Sequence, residues 1–424
     1  MRSSYLGSLR VGCSERVRII GVINLSPESF YPGSVAKSAE DALNVARKQL
    51  EEGADIIDLG GMSSAPYKET EVSEEVEADR VVEAVRLIKR ETDAVLSVDT
   101  YRSGVAEKAL SAGADIVNDI TGLQADRRMG KVIAEHSASA ILMAKEDFAV
   151  VQPEARGAAD IIASTLRKSI NIALESGIPS DQIAVDPGIG FFRKQKVPWY
   201  EWDMKVLTSL PRLTLLGYPV VVGVSRKSFI GEIAGLKDPS QRLFGSLAAE
   251  SIAIYQGADA VRTHDVASSL QAAKIAEEAR RVSVNSTEGR CYRSSRDGGS
   301  EAYLLPPLQD ISDAWEIIGF AGPESRAYSI LSPKAIQRNI LLLNIPNPLI
   351  LIIKQEMLSL GGDVATPIDS ILGERKHGNA VLIANVSQLK RLCSRLKRME
   401  IGFLSKKGML TPRRLAEMIE TFAD

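Results

Sequence analysis

Apolar and polar positions alternate in blocks along residues 18–282 with unusual regularity. The runs RIIGVINL (18–25), DIIDLGG (55–61), VLSVDT (95–100) and IVNDITG (116–122) are nearly all apolar and read as strands. SAILMAK (139–145), IAVDPGI (183–189), VVVGVSR (220–226) and DAVRTHDV (259–266) continue the series. Between them lie helical periods. In 39–54 the apolar positions are Ala42, Val45, Ala46 and Leu50, and in 74–90 they are Val76, Val81, Val85 and Ile88. The segments 105–115 and 246–259 each end in Gly-Ala-Asp, a helix stop followed at once by a strand. Strands apolar on both faces and separated by helices predict a parallel sheet covered on both sides. Eight such units over this span match the size of a (β/α)8 TIM barrel. A doubly wound open sheet is the other candidate, but the first strand lacks the GxGxxG turn that would favour it.

The pattern stops at 283–303, where Ser, Gly, Arg and Glu dominate and little is available to bury, so this stretch reads as a linker. It divides a barrel domain, 1–282, from a small α/β unit, 304–424. In that unit 347–362 reads as a helix stopped by Gly-Gly, 380–386 as a strand, and 386–399 and 413–423 as helices. The cations Lys390, Arg391, Arg395, Lys397 and Arg398 read as a solvated helix face. The apolar stretch 340–354 is too short and too broken by Pro and Asn to span a bilayer. The first 21 residues have no apolar core of the kind export signals carry. The expectation is a soluble cytoplasmic protein.

Composition narrows the chemistry. The chain has 424 residues and a formal net charge of −2, so no global field draws it to nucleic acid or an anionic membrane. Cys13, Cys291 and Cys393 form no CxxC pair, and His136, His264 and His377 are scattered; neither a disulfide scaffold nor a Cys/His zinc site is expected.

Barrels place their chemistry at the C-terminal ends of the strands. Here those ends carry Asn24, Asp58, Asp99, Asn118 with Asp119, Asp186, the run Ser225-Arg226-Lys227, and Arg262 with His264 and Asp265. A buried strand that closes on a carboxylate needs a partner or a task for it. The charges are also sorted: carboxylates and amides on the third, fourth and sixth strands, cations on the seventh and eighth, where barrels commonly hold phosphate. Such a set suits a flat polar heterocycle bearing phosphate. Asp119 and Asp265 point away from Asn118 and His264 by the period-2 rule and read as loop braces; Asp58 receives no role, and His136 reads as structural.

The motifs GVINLSPESF (21–30), VDTYR (98–102), VNDITG (117–122), DPGIGF (186–191), GVSRKSFIG (223–231) and VRTHDV (261–266) resemble, in order, those of dihydropteroate synthase, a pterin-binding TIM-barrel family. The resemblance covers roughly residues 10–282. It implies a Mg²⁺-dependent transferase that joins 6-hydroxymethyl-7,8-dihydropterin diphosphate to an arylamine, with loss of diphosphate. It implies that Asp99, Asn118, Asp186 and Lys227 hold the pterin, and that Asn24, Arg262 and His264 take the diphosphate, with Asn24 on the metal side. It further implies that Ser64, Ser225 and Arg226 lie by the arylamine, and that Asp99, Lys227, Arg262 and His264 form the catalytic set. The assembly it implies is a homodimer acting on small molecules. A pterin-dependent methyltransferase and a non-catalytic pterin-binding protein are the alternatives.

The sequence departs from the family's usual GGESTRPG at 60–67, which reads GGMSSAPY, while Glu28, Pro32 and Phe192 replace an Asp, a second Asp and a Gly. This wording resembles an archaeal branch, whose members make tetrahydromethanopterin-type carriers from a ribosyl-phosphate aniline. The altered loops therefore lead us to expect a larger arylamine than 4-aminobenzoate, its phosphate reaching Arg226 or Arg193. The segments 352–367 and 381–397 resemble an extra segment that precedes the barrel in some bacterial synthases.

Overall fold

The computed structural model describes residues 3–12, 15–26, 35–62, 72–150, 157–283, 291–293, 301–303, 308, 311, 314–315, 318, 325–366, 376–399 and 410–423. The chain forms two compact units, Met1–Leu305 and Pro306–Asp424.

The first unit opens with a hairpin, β1 (Ser4–Leu6) and β2 (Leu9–Val11). Eight parallel strands follow: β3 (Arg18–Asn24), β4 (Ile56–Gly60), β5 (Val95–Asp99), β6 (Ile116–Asp119), β7 (Ser139–Met143), β8 (Ile183–Asp186), β9 (Val221–Gly223) and β10 (Ala260–Thr263). They pair in the order β8-β7-β6-β5-β4-β3-β10-β9. A parallel bridge between Val185 and Val220, with the Val185 N–H donating to Pro219 O at 2.9 Å, closes the ring. This is the (β/α)8 barrel that the block pattern predicts.

The outer helices form where the period indicated. Ala39–Glu51 starts at Ser38, whose side chain accepts from the Asp41 N–H, and it buries Ala42, Leu43 and Ala46. Glu74–Glu91 starts at Ser73 with acidic residues in its first turn and buries Val81, Val85 and Ile88. The Gly-Ala-Asp stops have a second task. Asp55, Asp115 and Asp259 accept the backbone N–H of Ile19, Leu96 and Val220, at 2.9, 2.8 and 2.9 Å, so each ties the start of one strand to its neighbour.

Side chains alternate along the strands, so the barrel interior is layered. The floor consists of Ile20, Ile56, Val95, Ile116, Ile141, Ala184, Val221 and Ala260, packed with Leu6 and Val11 of the hairpin. Ser139 Oγ accepts from the Gly7 N–H at 3.0 Å and donates to Tyr5 O at 2.8 Å, fixing the hairpin under the floor. The next inward positions up the strands bring Asp58, Ser97, Asn118, Asp186 and Arg262 into a polar second layer.

Within 283–303, β11 (Cys291–Arg293) and β12 (Glu301–Tyr303) pair antiparallel. The second unit builds a three-stranded antiparallel sheet from β13 (Gln337–Pro346), β14 (Asp363–Ala365) and β15 (His377–Asn385), with β15 central. Helices Asn347–Leu360, Val386–Lys397 and Pro412–Glu420 bury Ile350, Ile353, Leu389, Leu392 and Leu415 in a common core with Ile340, Leu342 and Leu382 of the sheet. Among the basic residues of Val386–Lys397, Arg395 pairs with Glu356 and Lys397 with Glu420, both at 2.6 Å and both exposed. Among the described residues, no helix is long and apolar enough to cross a membrane.

Candidate active site

The second layer and the strand ends above it carry the charges. Arg262 on β10 reaches across the barrel: its Nε donates to Asp58 Oδ2 at 2.5 Å and its Nη2 to Asp99 Oδ2 at 2.7 Å. Burial works against this charge, but the two carboxylates outweigh it and raise the arginine pKa. Burial also pushes Asp99 up to about 7; Arg262 opposes that shift, while the Asp58 carboxylate adds to it. Asn118 Nδ2 lies 3.5 Å from the same Asp58 oxygen.

On the other side, β8 ends at Asp186, whose Oδ1 accepts the Gly188 N–H at 2.7 Å. Burial raises the Asp186 pKa against the pull of Lys227. Gly188 and Gly190 have φ of 69° and 91°, and a Cβ at Gly188 would stand 1.9 Å from the Ala144 carbonyl oxygen. The loop after β8 therefore requires glycine there. It delivers Ile189 O to the Lys227 ammonium, which also lies over the Phe191 ring at 4.9 Å. Burial brings Lys227 down to about 8, resisted by Asp186 and Asp203. Asp203, fully buried on the helix Trp199–Thr208, accepts the Gly190 N–H at 2.8 Å, and burial pushes it up to about 6.

Ser225 and His264 belong together. Ser225 Oγ accepts the His264 backbone N–H at 3.2 Å and lies 3.0 Å from its Nδ1. Burial, reinforced by Arg262, Arg226 and Lys227, lowers His264 to about 3, so the ring is neutral at physiological pH. Arg226 takes a task the sequence did not suggest. It is 4% exposed, has φ 57°, and its guanidinium grips Asp265 at 2.8 and 2.6 Å and the carbonyls of Pro239 and Ser240 at 3.0 and 2.8 Å. It clamps the turn between Ser225 and Lys227, and its donors point into the protein.

Two arginines fix the stems of the second loop: Arg80 donates to Gly61 O at 3.1 Å and Arg102 to Val72 O at 2.8 Å. Arg102 is itself paired with the buried Glu77, at 2.9 Å, which also accepts from Thr100 Oγ1 at 2.7 Å. Glu146 receives the backbone N–H groups of Arg193 and Lys194, and the Arg193 guanidinium lies over the Trp199 ring at 4.2 Å. Phe192 is buried and stacks on Trp202. Asn24 ends β3, paired in register with Gly60. Ser64, Ala65, Tyr67, Glu28 and Pro32 lie outside the described residues. Among the described residues no three His, Cys, Asp or Glu side chains group to hold a metal.

The family described as pterin binding enzyme matches residues 20–264, which hold Asn24, Asp58, Asp99, Asn118, Asp186, Lys227, Arg262 and His264. The chain belongs to the pterin-binding enzymes. Within that family it is similar to the dihydropteroate synthase of Clostridium beijerinckii, 38% identical over 273 residues, covering 64% of this chain and 97% of the relative. A Coxiella burnetii dihydropteroate synthase in complex with pteroic acid superposes with a TM-score of 0.58 at 34% identity, over 66% of this chain and 98% of that one. The Xanthomonas albilineans enzyme with 4-aminobenzoic acid gives 0.56 at 33%, over 63% and 94%.

In this pterin-binding barrel, charge linkages tie Asp99, Asp186, Lys227, Arg262 and His264 into one cluster, with Asn118 joined through Asp58. Asp119 braces its loop, accepting from Thr121 and Leu123, and His136 bonds Val132 O at a helix end. The sequence reading missed Asp58 and Asp203. The strand end of Asp58 marked it as unusual, but its partner lies 204 residues away, and Asp203 sits in an ordinary helical pattern.

Proposed function

We propose that this chain condenses 6-hydroxymethyl-7,8-dihydropterin diphosphate with 4-aminobenzoate and releases diphosphate, as a dihydropteroate synthase of folate synthesis. The observation that carries the reading is that hydrogen-bond acceptors for a ring and donors for an anion adjoin at one barrel end. Asp99, Asn118 and Asp186 offer acceptors to ring N–H and amino groups, and Lys227 offers a donor to a ring carbonyl. Arg262 and His264 face the leaving group. Among the described residues, Arg262 Nη1 carries no other hydrogen bond. Neutral His264 donates through one ring N–H.

The bond from the pterin methylene carbon to the diphosphate oxygen breaks first, and its electron pair leaves with diphosphate. Arg262 and His264 stabilise that developing charge. The carboxylates of Asp99 and Asp186 stabilise the positive charge left on the ring and methylene. The amine nitrogen's lone pair then forms the new C–N bond, and its extra proton passes to the released diphosphate or through it to solvent. The donor set fits Mg²⁺: this ion prefers oxygen and is usually held by few protein groups together with substrate phosphates. Asn24, with its amide oxygen at the end of β3, would hold it, and the bound ion would neutralise charge on the diphosphate.

The alternative acceptor, a ribosyl-phosphate aniline, needs a cation for its phosphate. Arg226 is buried and committed to Asp265, which leaves Arg193 as the only one of the two expected anchors. 4-Aminobenzoate is therefore our reading, and the solved relatives with pteroic acid and 4-aminobenzoic acid support it. Steady-state diphosphate release with each amine tests it. A tenfold or greater preference for the ribosyl-phosphate amine, about 1.4 kcal/mol in transition-state binding, would reject it.

A further inference from the structure

We propose that Asp58, to which the sequence gives no role, is the residue that positions Arg262 for the leaving group. The inference rests on the function above. Asp58 is 1% exposed, in the second layer of the barrel. Its Oδ2 takes the Arg262 Nε at 2.5 Å and lies 3.5 Å from Asn118 Nδ2. One carboxylate oxygen thus joins the cation on the diphosphate side to the amide on the ring side.

Arg262 has two carboxylate partners, and they are not equivalent. Asp99, at the strand end, is the one a pterin ring would claim. Once the ring engages Asp99, its hold on Nη2 weakens. Asp58 lies a layer lower and keeps Nε, so the guanidinium plane stays fixed and Nη1 keeps its aim. A guanidinium held at Nε by a buried carboxylate loses little further freedom when it binds an anion. Asp58 is therefore a positioning residue.

The test separates positioning from plain charge. If Asp58 mattered only through its charge, Asp58→Asn would make the site more positive and tighten inorganic diphosphate binding. Positioning predicts the reverse: diphosphate affinity measured calorimetrically falls about tenfold, the scale of one lost charge-assisted hydrogen bond. In turnover, kcat falls on the order of 100-fold, as for loss of one leaving-group donor, while KM for 4-aminobenzoate stays within about twofold. Ser97→Ala changes the neighbouring second-layer position, in register with Asp58, and should leave all three values unchanged. Unchanged or tighter diphosphate binding in Asp58→Asn overturns the proposal. So does an equal loss in Ser97→Ala, which would mark general damage to the layer.

Arg-selective ¹⁵N labelling of the wild type gives a reading that needs no Asp58 variant. The Arg262 Nε–H signal should stay protected from solvent exchange with and without diphosphate; rapid exchange in either state refutes the proposal. If the wild type binds diphosphate but does not turn over 4-aminobenzoate, the proposed function fails, while the affinity and exchange readings still decide Asp58.

Discussion

Asp265→Asn removes a charge from the Arg226 clamp and keeps its shape. In the wild type the pair is bidentate, at 2.8 and 2.6 Å, with side-chain exposures of 5% for Arg226 and 20% for Asp265. Removing one member of a buried ion pair typically costs 3–5 kcal/mol. Two carbonyls still hold Arg226 and Asp265 is partly hydrated, so the lower end applies, about 3 kcal/mol. For a domain of this size that lowers Tm by about 6–12 °C. Activity should fall as well, for a local reason. Arg226 occupies the left-handed region, a strained conformation held by its surroundings. Without the clamp the turn relaxes and carries Ser225 and Lys227 with it, and Ser225 sets the His264 ring. We expect kcat to drop roughly tenfold, equivalent to about 1.4 kcal/mol. Arg226→Lys keeps the charge, loses the fork, and should match both effects. Thermal unfolding by circular dichroism and steady-state diphosphate release would measure them. A Tm within 2 °C of wild type (roughly under 1 kcal/mol) together with an unchanged kcat would show that the carbonyls alone hold Arg226, and the clamp argument would fall.

Lys227, lowered to about 8 by burial, should give kcat/KM for the pterin substrate an alkaline limb near that pH, and Lys227→Arg should move the limb upward. Between about 8 and the ordinary 10.5 the folded lysine is neutral while the unfolded one still binds a proton, so this group's contribution to stability rises with pH across that window, which urea unfolding of wild type against Lys227→Met would register. His264, depressed to about 3, should contribute stability that is present above 6.5 and lost as pH falls towards 3; the gap in unfolding free energy between wild type and His264→Asn should narrow from pH 7 to pH 4.5, and a constant gap would contradict a neutral buried ring. Leu6→Ala, at a fully buried floor position, should cost about 2–5 kcal/mol of unfolding free energy, while diphosphate affinity stays the same because the hairpin lies at the opposite end of the barrel.

The barrel was legible because its strands are short apolar blocks and its helices keep a 3.6-residue period, signals that survive without any tertiary information. The cluster of Asp99, Asn118, Asp186, Lys227, Arg262 and His264 was legible for a related reason: strand ends are where this architecture collects chemistry. What stayed hidden depends on geometry. A positive φ at Arg226 turns its donors inward, and neither periodicity nor motif reports that. The strands Ser4–Leu6 and Leu9–Val11 are three residues each, too short for an alternation to register. In the stretch 340–354 the sequence showed the helix from 347 but not the strand before it. In the structure it divides at Pro346 into the end of β13 and the start of a helix, and a register shift between Leu342 and Ile345 brings Asn344 to φ 54°.

The layering of the barrel interior bears on how an inhibitor of this enzyme would lose its hold. On the proposed assignment, a compound built on the pterin ring would rest on Asp99, Asn118 and Asp186, above or within the layer where Arg262 balances two carboxylates. A substitution there that weakens the compound strands a buried charge, and the mutant loses fold stability along with the drug. Escape from such a compound should therefore come mostly with a thermally weakened enzyme.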